Sequence, residues 1–400
     1  MKVLVVGSGG REHALAWALA RSGRLGELHA APGNPGIAAL ATCHPARADD
    51  PASLVPLAHE LRVDLVVVGP EAPLVAGLAD ELRHHGIGVF GPGAQAAQLE
   101  GSKAFAKSVM EAAGVPTART LAIAHPPCVV KADGLAAGKG VWVCRTQEEL
   151  DAGLLAAEAL GQEFHVEELL EGDEVSIFAL CDGITAVPLP AAQDYKRIGE
   201  GDEGANTGGM GSCSPVPRLS DTDVSELVEL TCTPVLRELE RRRTPFIGVL
   251  FAGMMLTADG PRVLEYNCRF GDPETQSLVP RLEGDLLEAL AACAAGSLAG
   301  VSLAVSEQAA VSVVLASRDY PERGDVGTPI EGIADAEAAG ALVFHAGTAV
   351  RDGRLVTNGG RILNVTALGD SLATARAAAY DAVAHIHFAG VRFRRDIAHA

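Results

Sequence analysis

Four segments of this chain combine residue types and spacings that can do chemistry. The first, Gly7-Ser8-Gly9-Gly10-Arg11-Glu12, lies between an apolar run and an Ala/Leu-rich stretch, where backbone amides and a helix dipole favour an anion. Two departures argue against a dinucleotide site. Glu12 stands where a third glycine belongs, and the next apolar run ends in Ala30-Ala31-Pro32-Gly33 with no acid for a ribose hydroxyl. What stays open is a tight βα turn, which needs the glycines anyway, or a phosphate site to which Arg11 adds charge.

The second segment, Lys131 to Val141, is a glycine-rich loop with Lys139 near its far end. It is not a Walker A loop, because Gly134 and Gly138 are one residue too close and Gly140 replaces the magnesium-binding Ser or Thr. A hairpin of small residues is the alternative, but Lys131 at the end of a buried-looking strand demands an anionic partner. In the third segment, Val263 to Gln276, an extended chain puts Glu265 and Asn267 on one face. Two oxygen ligands suit a hard cation whose remaining shell comes from phosphates and water. Asp272-Pro273 then makes a fixed turn. The fourth pairs a charged stretch, Gln193-Asp194-Tyr195-Lys196-Arg197, with Asn206-Thr207-Gly208-Gly209-Met210-Gly211. Taken alone, these are a loop ion pair and a flexible turn.

The elements that must position these groups follow from periodicity. Apolar runs at Lys2–Gly7, Leu28–Ala31, Asp64–Gly69 and Gly88–Gly91 alternate with helical stretches, the first from Arg11, which predicts repeated βαβ. Ligands in such parallel sheets sit at the carboxyl ends of the strands. A second unit begins near Gly101-Ser102-Lys103, with strands predicted at 128–131, 141–144, 163–167, 175–181, 247–256 and 262–267 and helices at 102–113, 147–160 and 221–243. A third follows Ala299, with strands at 310–316, 341–345 and 361–365 and a closing helix near 370–388.

Composition bounds the partners. A net charge of −19 repels nucleic acid and anionic membranes, so a phosphorylated ligand must be small and held by a local basic pocket. The 400 residues favour several packed domains. The N-terminus carries no export signal and no stretch is apolar enough to span a membrane, so a cytoplasmic protein is expected. The eight cysteines include no Cys-x-x-Cys pair, which argues against zinc sites and disulfide frameworks.

Together the motifs resemble one family, the phosphoribosylamine-glycine ligases or glycinamide ribonucleotide synthetases. The likeness rests on Gly9-Gly10-Arg11-Glu12-His13-Ala14, Ala31-Pro32-Gly33-Asn34, Val68 to Leu74, Leu99-Glu100-Gly101-Ser102-Lys103, the Lys131–Val141 loop, Asn206 to Gly211, Thr357 to Arg361 and, above all, Arg269 to Gln276. It implies an α/β and α+β multidomain chain: an N-terminal doubly wound parallel sheet over 1–100, an ATP-grasp domain over 101–300 with a small lid at about 114–172, and a small C-terminal α/β domain over 301–400. The implied reaction joins glycine to 5-phosphoribosylamine with ATP as co-substrate and Mg2+ or Mn2+ as cofactor, through a glycyl phosphate.

The same resemblance assigns Lys103, Lys131, Gly134, Gly138 and Lys139 to the ATP phosphates and their covering loop, Glu167, Glu168 and Leu170 to an adenine hinge, Glu174 to the ribose, and Glu265 and Asn267 to the metal. Lys139, Lys196, Arg269 and Asp272 are the implied catalytic groups. Gly10, Arg11, Glu12, Asn34, Glu71, Asp194 and Asn206 are the implied substrate contacts. A monomer or homodimer without nucleic acid or membrane partners is expected. A carboxylase of the same superfamily and an NAD-dependent oxidoreductase are the competing readings. The stretches 121–126 and 147–163 are short for the family, which places this chain's individuality in the lid.

Overall fold

Valine- and alanine-rich runs buried on both faces suit a covered parallel sheet, and four of them form one, with the unforeseen two-residue strand Thr42–Cys43 at its edge. The structure is a computed structural model that describes residues 1–135 and 140–399; the sequence-predicted Gly138 and Lys139 lie outside the described residues. The N-terminal sheet runs, in spatial order, Thr42–Cys43, Glu27–Pro32, Lys2–Gly7, Leu65–Val68, Gly88–Phe90, all parallel. The order reverses beside Lys2–Gly7. The crevice this opens receives the chain from Gly7 to Arg11, from Gly33 to Asn34 and from Gly69 to Glu71. Helix Gly10–Leu19 starts there, and its alanines fit a helix buried on nearly every side, with eight residues inaccessible.

The larger sheet is antiparallel and has eight strands, in the order Gly260–Asn267, Ile247–Thr257, Asp173–Asp182, Ala186–Asp194, Gly211–Ser214, Ala309–Ala316, Arg361–Gly369, Leu342–His345. The last three belong to the C-terminal third. Those three strands therefore do not form a sheet of their own; Gly211–Ser214 pairs with Ala310–Val313 and carries the ladder across. Helices Asp221–Arg241 and Leu372–Val383 cover it.

Two of these strands escape the periodicity. Ala186–Asp194 contains Pro188 and Pro190, which mark a chain as unsuited to a ladder interior; a register shift between Leu189 and Ala192 accommodates them. Gly211–Ser214 is too short to show a period. A further three-stranded sheet of Asp325–Pro329, Arg354–Gly359 and Thr348–Arg351 was also not foreseen.

The lid is a three-stranded sheet of Val141–Cys144, Cys128–Ala132 and Phe164–Glu168, backed by helix Gln147–Ala159. Its core holds Cys128, Val130, Cys144, Leu150, Ala157 and Val166. A short strap ties it to the large sheet: Val263 N donates to Pro116 O (2.8 Å) and Thr117 Oγ1 to Val263 O (2.9 Å), while Leu121 N donates to Val166 O (2.8 Å) and Glu168 N to Arg119 O (3.0 Å).

So small an apolar core gives the lid little stability of its own. Amide hydrogen exchange of Cys128–Ala132 is expected to be faster than that of Asp173–Asp182, and Leu150→Ala, which empties a core position, is expected to speed the first without changing the second. Equal protection of the two strands in mass-spectrometric exchange would contradict this.

Candidate active site

Lys131 ends the central lid strand. Its Nζ lies 2.7 Å from Glu167 Oε2 and 3.0 Å from Leu264 O, bridging the lid to the large sheet. Glu167 Oε1 takes a second lysine, Lys107, at 2.8 Å, and lies 3.3 Å from His165 Nε2. Burial pushes the Glu167 carboxyl up, but the His165 hydrogen bond and the charges of Lys131 and Lys107 overcome it and hold it far below the usual range. The acid predicted for adenine is thus occupied in holding lysines. Glu168 is likewise paired, with Arg119 at 2.6 Å, and Leu170 is half-buried just beyond the strand.

Lys103 begins helix Lys103–Ala113, and its Nζ donates to Gly134 O at 3.2 Å. Asp133 secures the same junction, accepting from Lys103 N (2.5 Å), Ala104 N (3.3 Å) and Ser102 Oγ (3.1 Å). Burial draws the Lys103 pKa down, opposed by Glu265 and Asp133. Lys107, one helical turn on, was not singled out from the sequence; its i, i+4 spacing from Lys103 was the available signal.

Opposite the lid, Glu265 and Asn267 occupy alternate positions of Gly260–Asn267, as predicted. Burial pushes the Glu265 carboxyl up, but Lys196, Lys131, Lys103 and Arg269 together bring it below its ordinary value. Asn267 Oδ1 accepts from Arg269 Nη2 at 3.1 Å, which fixes the amide. Among the described residues no group of three or more His, Cys, Asp or Glu could hold a metal. An ionised carboxylate beside an oriented amide oxygen instead fits a hard cation that takes its other ligands from a phosphorylated substrate.

Arg269 is the knot of this region. Its Nη2 lies 2.7 Å from Glu100 Oε1 and its Nε 3.3 Å from Glu71 Oε2, while Nη1 donates to Phe270 O at 3.3 Å. Burial favours the neutral guanidine, but Glu100 and Glu71 reverse that and raise its pKa. Glu71, predicted as a substrate contact, is thus also an arginine partner.

Asp194 ends the strand Ala186–Asp194, and Lys196 follows two residues on, before the hairpin that starts at Arg197. Lys196 pairs with Glu174, the acid predicted for ribose. Burial depresses the lysine, yet Glu174, Glu265 and Asp194 outweigh it and raise its pKa. Asp194 Oδ1 is buried without a hydrogen-bond partner. Burial, with Glu274 adding repulsion, pushes this carboxyl well up. Gly209, with φ +106°, lets the Asn206–Gly211 turn close here; a Cβ there would strike Pro273 and come within 2.7 Å of Asp194 Oδ1. Asn206 is half-buried on the short hairpin beside it.

Asp272 takes Arg361 Nη2 at 2.9 Å and Gln276 Nε2 at 2.7 Å. Burial raises its pKa, and Arg361 and Arg11 bring it below normal. Arg361 and Glu274 stand in the runs that carried the resemblance but had no role there. The N-terminal loop closes this end. Glu12, only 2% exposed, accepts from Gly9 N (2.5 Å) and Arg11 Nε (2.5 Å). A Cβ on Gly69 would collide with it, so Glu12 braces the strand ends from within. Arg11 Nη1 donates to Phe270 O at 3.2 Å. Asn34 donates to Ser8 O (2.9 Å) and His345 O (2.8 Å) and accepts from Ile37 N (2.9 Å), binding loop to C-terminal third. Gly10 packs so closely on Asn364 and Gln276 that a side chain there would collide with both.

A cleft between a small lid and an antiparallel sheet, with lysines on one wall and a carboxylate–amide pair on the other, defines a nucleotide-dependent ligase of the ATP-grasp class. Models of phosphoribosylglycinamide synthetase match the whole arrangement: the N domain over residues 1–100, the ATP-grasp (A) domain over 101–275 and the C domain over 310–400. The chain belongs to the phosphoribosylglycinamide synthetase family. It is 50% identical to a phosphoribosylamine–glycine ligase of Streptomyces coelicolor, covering 100% of this chain and 99% of that one. It is 49% identical to one of Brucella melitensis, covering 99% and 97%. The crystal structure of the Thermotoga maritima phosphoribosylamine–glycine ligase superposes with a TM-score of 0.85 at 34% identity, over 99% of this chain and 100% of that one.

One buried pair that the sequence did not reveal joins the N-terminal helix to the C-terminal third. His345 N donates to His13 Nδ1 at 2.8 Å, and His345 Nδ1 lies 3.1 Å from Thr348 Oγ1. Burial, with His345 adding repulsion, takes His13 down to about 3, and burial takes His345 down to about 4. The folded protein holds both neutral, so their contribution is complete above the ordinary histidine pKa of about 6.5 and is lost as pH falls through the window below it. Urea midpoints are expected to drop between pH 7 and pH 4.5, and His13→Leu, less stable at pH 7 by roughly 1–3 kcal/mol, is expected to drop less. A parallel decline in both proteins would contradict this.

Proposed function

We propose that the chain joins glycine to 5-phosphoribosylamine, converting ATP to ADP and phosphate, in purine biosynthesis. The glycine carboxylate attacks the γ-phosphorus and ADP leaves; the ribosylamine nitrogen then attacks the acyl carbon of glycyl phosphate, phosphate departs, and the nitrogen gives up a proton. The observation that carries this reading is a cavity lined by Lys103, Lys131, Glu265 and Asn267 in a chain that matches phosphoribosylamine–glycine ligases over its full length.

Lys103 and Lys131 neutralise phosphate charge as the phosphoryl group moves, which together with positioning is most of what such a transfer needs. Glu265 and Asn267 would hold a divalent cation, magnesium or manganese, which adds positive charge at the phosphates. Lys196, set by Glu174, faces the carboxylate being activated. Asp194, whose buried Oδ1 has no hydrogen-bond partner among the described residues and whose pKa burial pushes up, offers its carboxyl group to glycine or the incoming amine, with Asn206 at the rim. Arg11, the Gly10 amide and Asp272 with its Arg361 partner bound the phosphoribosyl end. Glu12, Asn34 and Glu71 keep that end in shape. Among the described residues no helix is long and apolar enough to cross a membrane, and metabolite-sized substrates in the cytoplasm suit the strongly acidic surface.

The test is ADP release from ATP in the presence of ribosylamine. Release that depends on glycine is expected; release that depends on bicarbonate would replace this reading with a carboxylase. Glu265→Gln removes the charge that opposes four cations and is expected to lower kcat by roughly 100-fold or more with the circular dichroism spectrum unchanged. Wild-type turnover in that variant would remove Glu265 from the metal.

A further inference from the structure

Arg394, far along the chain from every site residue, is 2% exposed. A buried guanidinium is costly unless its donors are met, and here they are met by Asp396 and by the hairpin that follows Lys196. Arg394 Nη1 donates to Arg197 O at 3.0 Å and lies 3.4 Å from Asp202 Oδ1. Nε and Nη2 hold Asp396 at 2.8 and 2.7 Å. Its guanidinium carbon sits 5.3 Å from the centre of the Tyr195 ring, within the range of a cation–π contact. Arg394 thus grips the residues on both sides of Lys196, one by its ring and the other by its carbonyl.

The neighbours of Arg394 extend the grip. Gly201 N donates to Asp396 Oδ2 at 2.8 Å, and Arg395 N donates to Glu200 Oε1 at 3.3 Å. Tyr380 Oη in turn holds Arg394 O at 2.7 Å. The hairpin Arg197–Gly199 and Glu203–Asn206 pairs only with itself in the sheet topology; Ile198 packs on Met210 and Ala316, and this tail adds the polar contacts to Arg197, Glu200 and Gly201. Lys196 O accepts from both Thr207 N and Thr207 Oγ1 at 2.8 Å, so a tilt of the hairpin moves Lys196.

We propose that Arg394 is a positioning residue for Lys196, stacking on Tyr195 and bonding Arg197 O so that the lysine ammonium stays at the transfer centre. This rests on the reading of Lys196 as a catalytic group. The test is a double-mutant cycle on kcat for glycine-dependent ADP release. Arg394→Ala is expected to lower kcat roughly 10- to 100-fold, the cost of a displacement of about 1 Å. With Lys196 already replaced by alanine, the same change is expected to cost almost nothing further. Equal losses in both backgrounds would overturn the proposal while leaving Lys196 in its role. A Lys196→Ala enzyme with wild-type kcat would sink the reading of Lys196 and the proposal with it. Should Arg394→Ala fail to fold, Tyr195→Leu, which removes only the stacked ring, enters the same cycle. A loss confined to the Lys196 background supports the proposal, and a loss of equal size in both, or none in either, overturns it.

Discussion

Arg269 cannot be buried unless carboxylates surround it, and that requirement organises the centre of the molecule. Its partners Glu71 and Glu100 come from the N-terminal sheet and the helix that follows it, and Asn267 from the edge strand of the large sheet. Removing one member of such a set leaves an uncompensated charge in a dry environment, which costs several kcal/mol. The N-terminal unit and the ATP-grasp sheet, which share apolar cores, are thus also joined by charge pairing beside Glu265 and Asn267. Glu265, left without a close partner but bathed in positive potential, is the product of that arrangement.

The same logic recurs at each end. Glu167 carries two lysines, Asp272 one arginine, Glu12 one arginine and a backbone amide. Carboxylates here hold cations in place before any phosphate arrives, so that little reorganisation is left for the moment of transfer. Asp194, like Glu265, has no cation at hydrogen-bond distance among the described residues, and its Oδ1 is idle.

The parallel N-terminal sheet was legible because each apolar run is long and ends in glycine, and the same was true of the lid strands and the long helices. Glu265 and Asn267 were legible because a two-residue spacing on a strand has one meaning. The proline-bearing strand Ala186–Asp194 was hidden because local chemistry argues against it and only the neighbouring strands enforce it. Roles were harder still. Glu12 and Asn34 carry the marks of ligand-binding residues, yet their partners are Arg11, Gly9, Ser8 and His345, some of them more than 300 residues away. Arg394 has no local signature, and Lys107 and His13 show only a helical spacing and a place in a motif, since the meaning of all three comes from what folds against them.

The passage of one ladder from Gly211–Ser214 into Ala309–Ala316 has a consequence for how this protein can be divided. The C-terminal third is not an appendage that a protease or an engineer could remove cleanly. Severed at the joint, the remaining sheet would present Gly211–Ser214 as a raw edge with open amides and carbonyls, an invitation to another chain. Continuity of the sheet also denies the two parts a hinge.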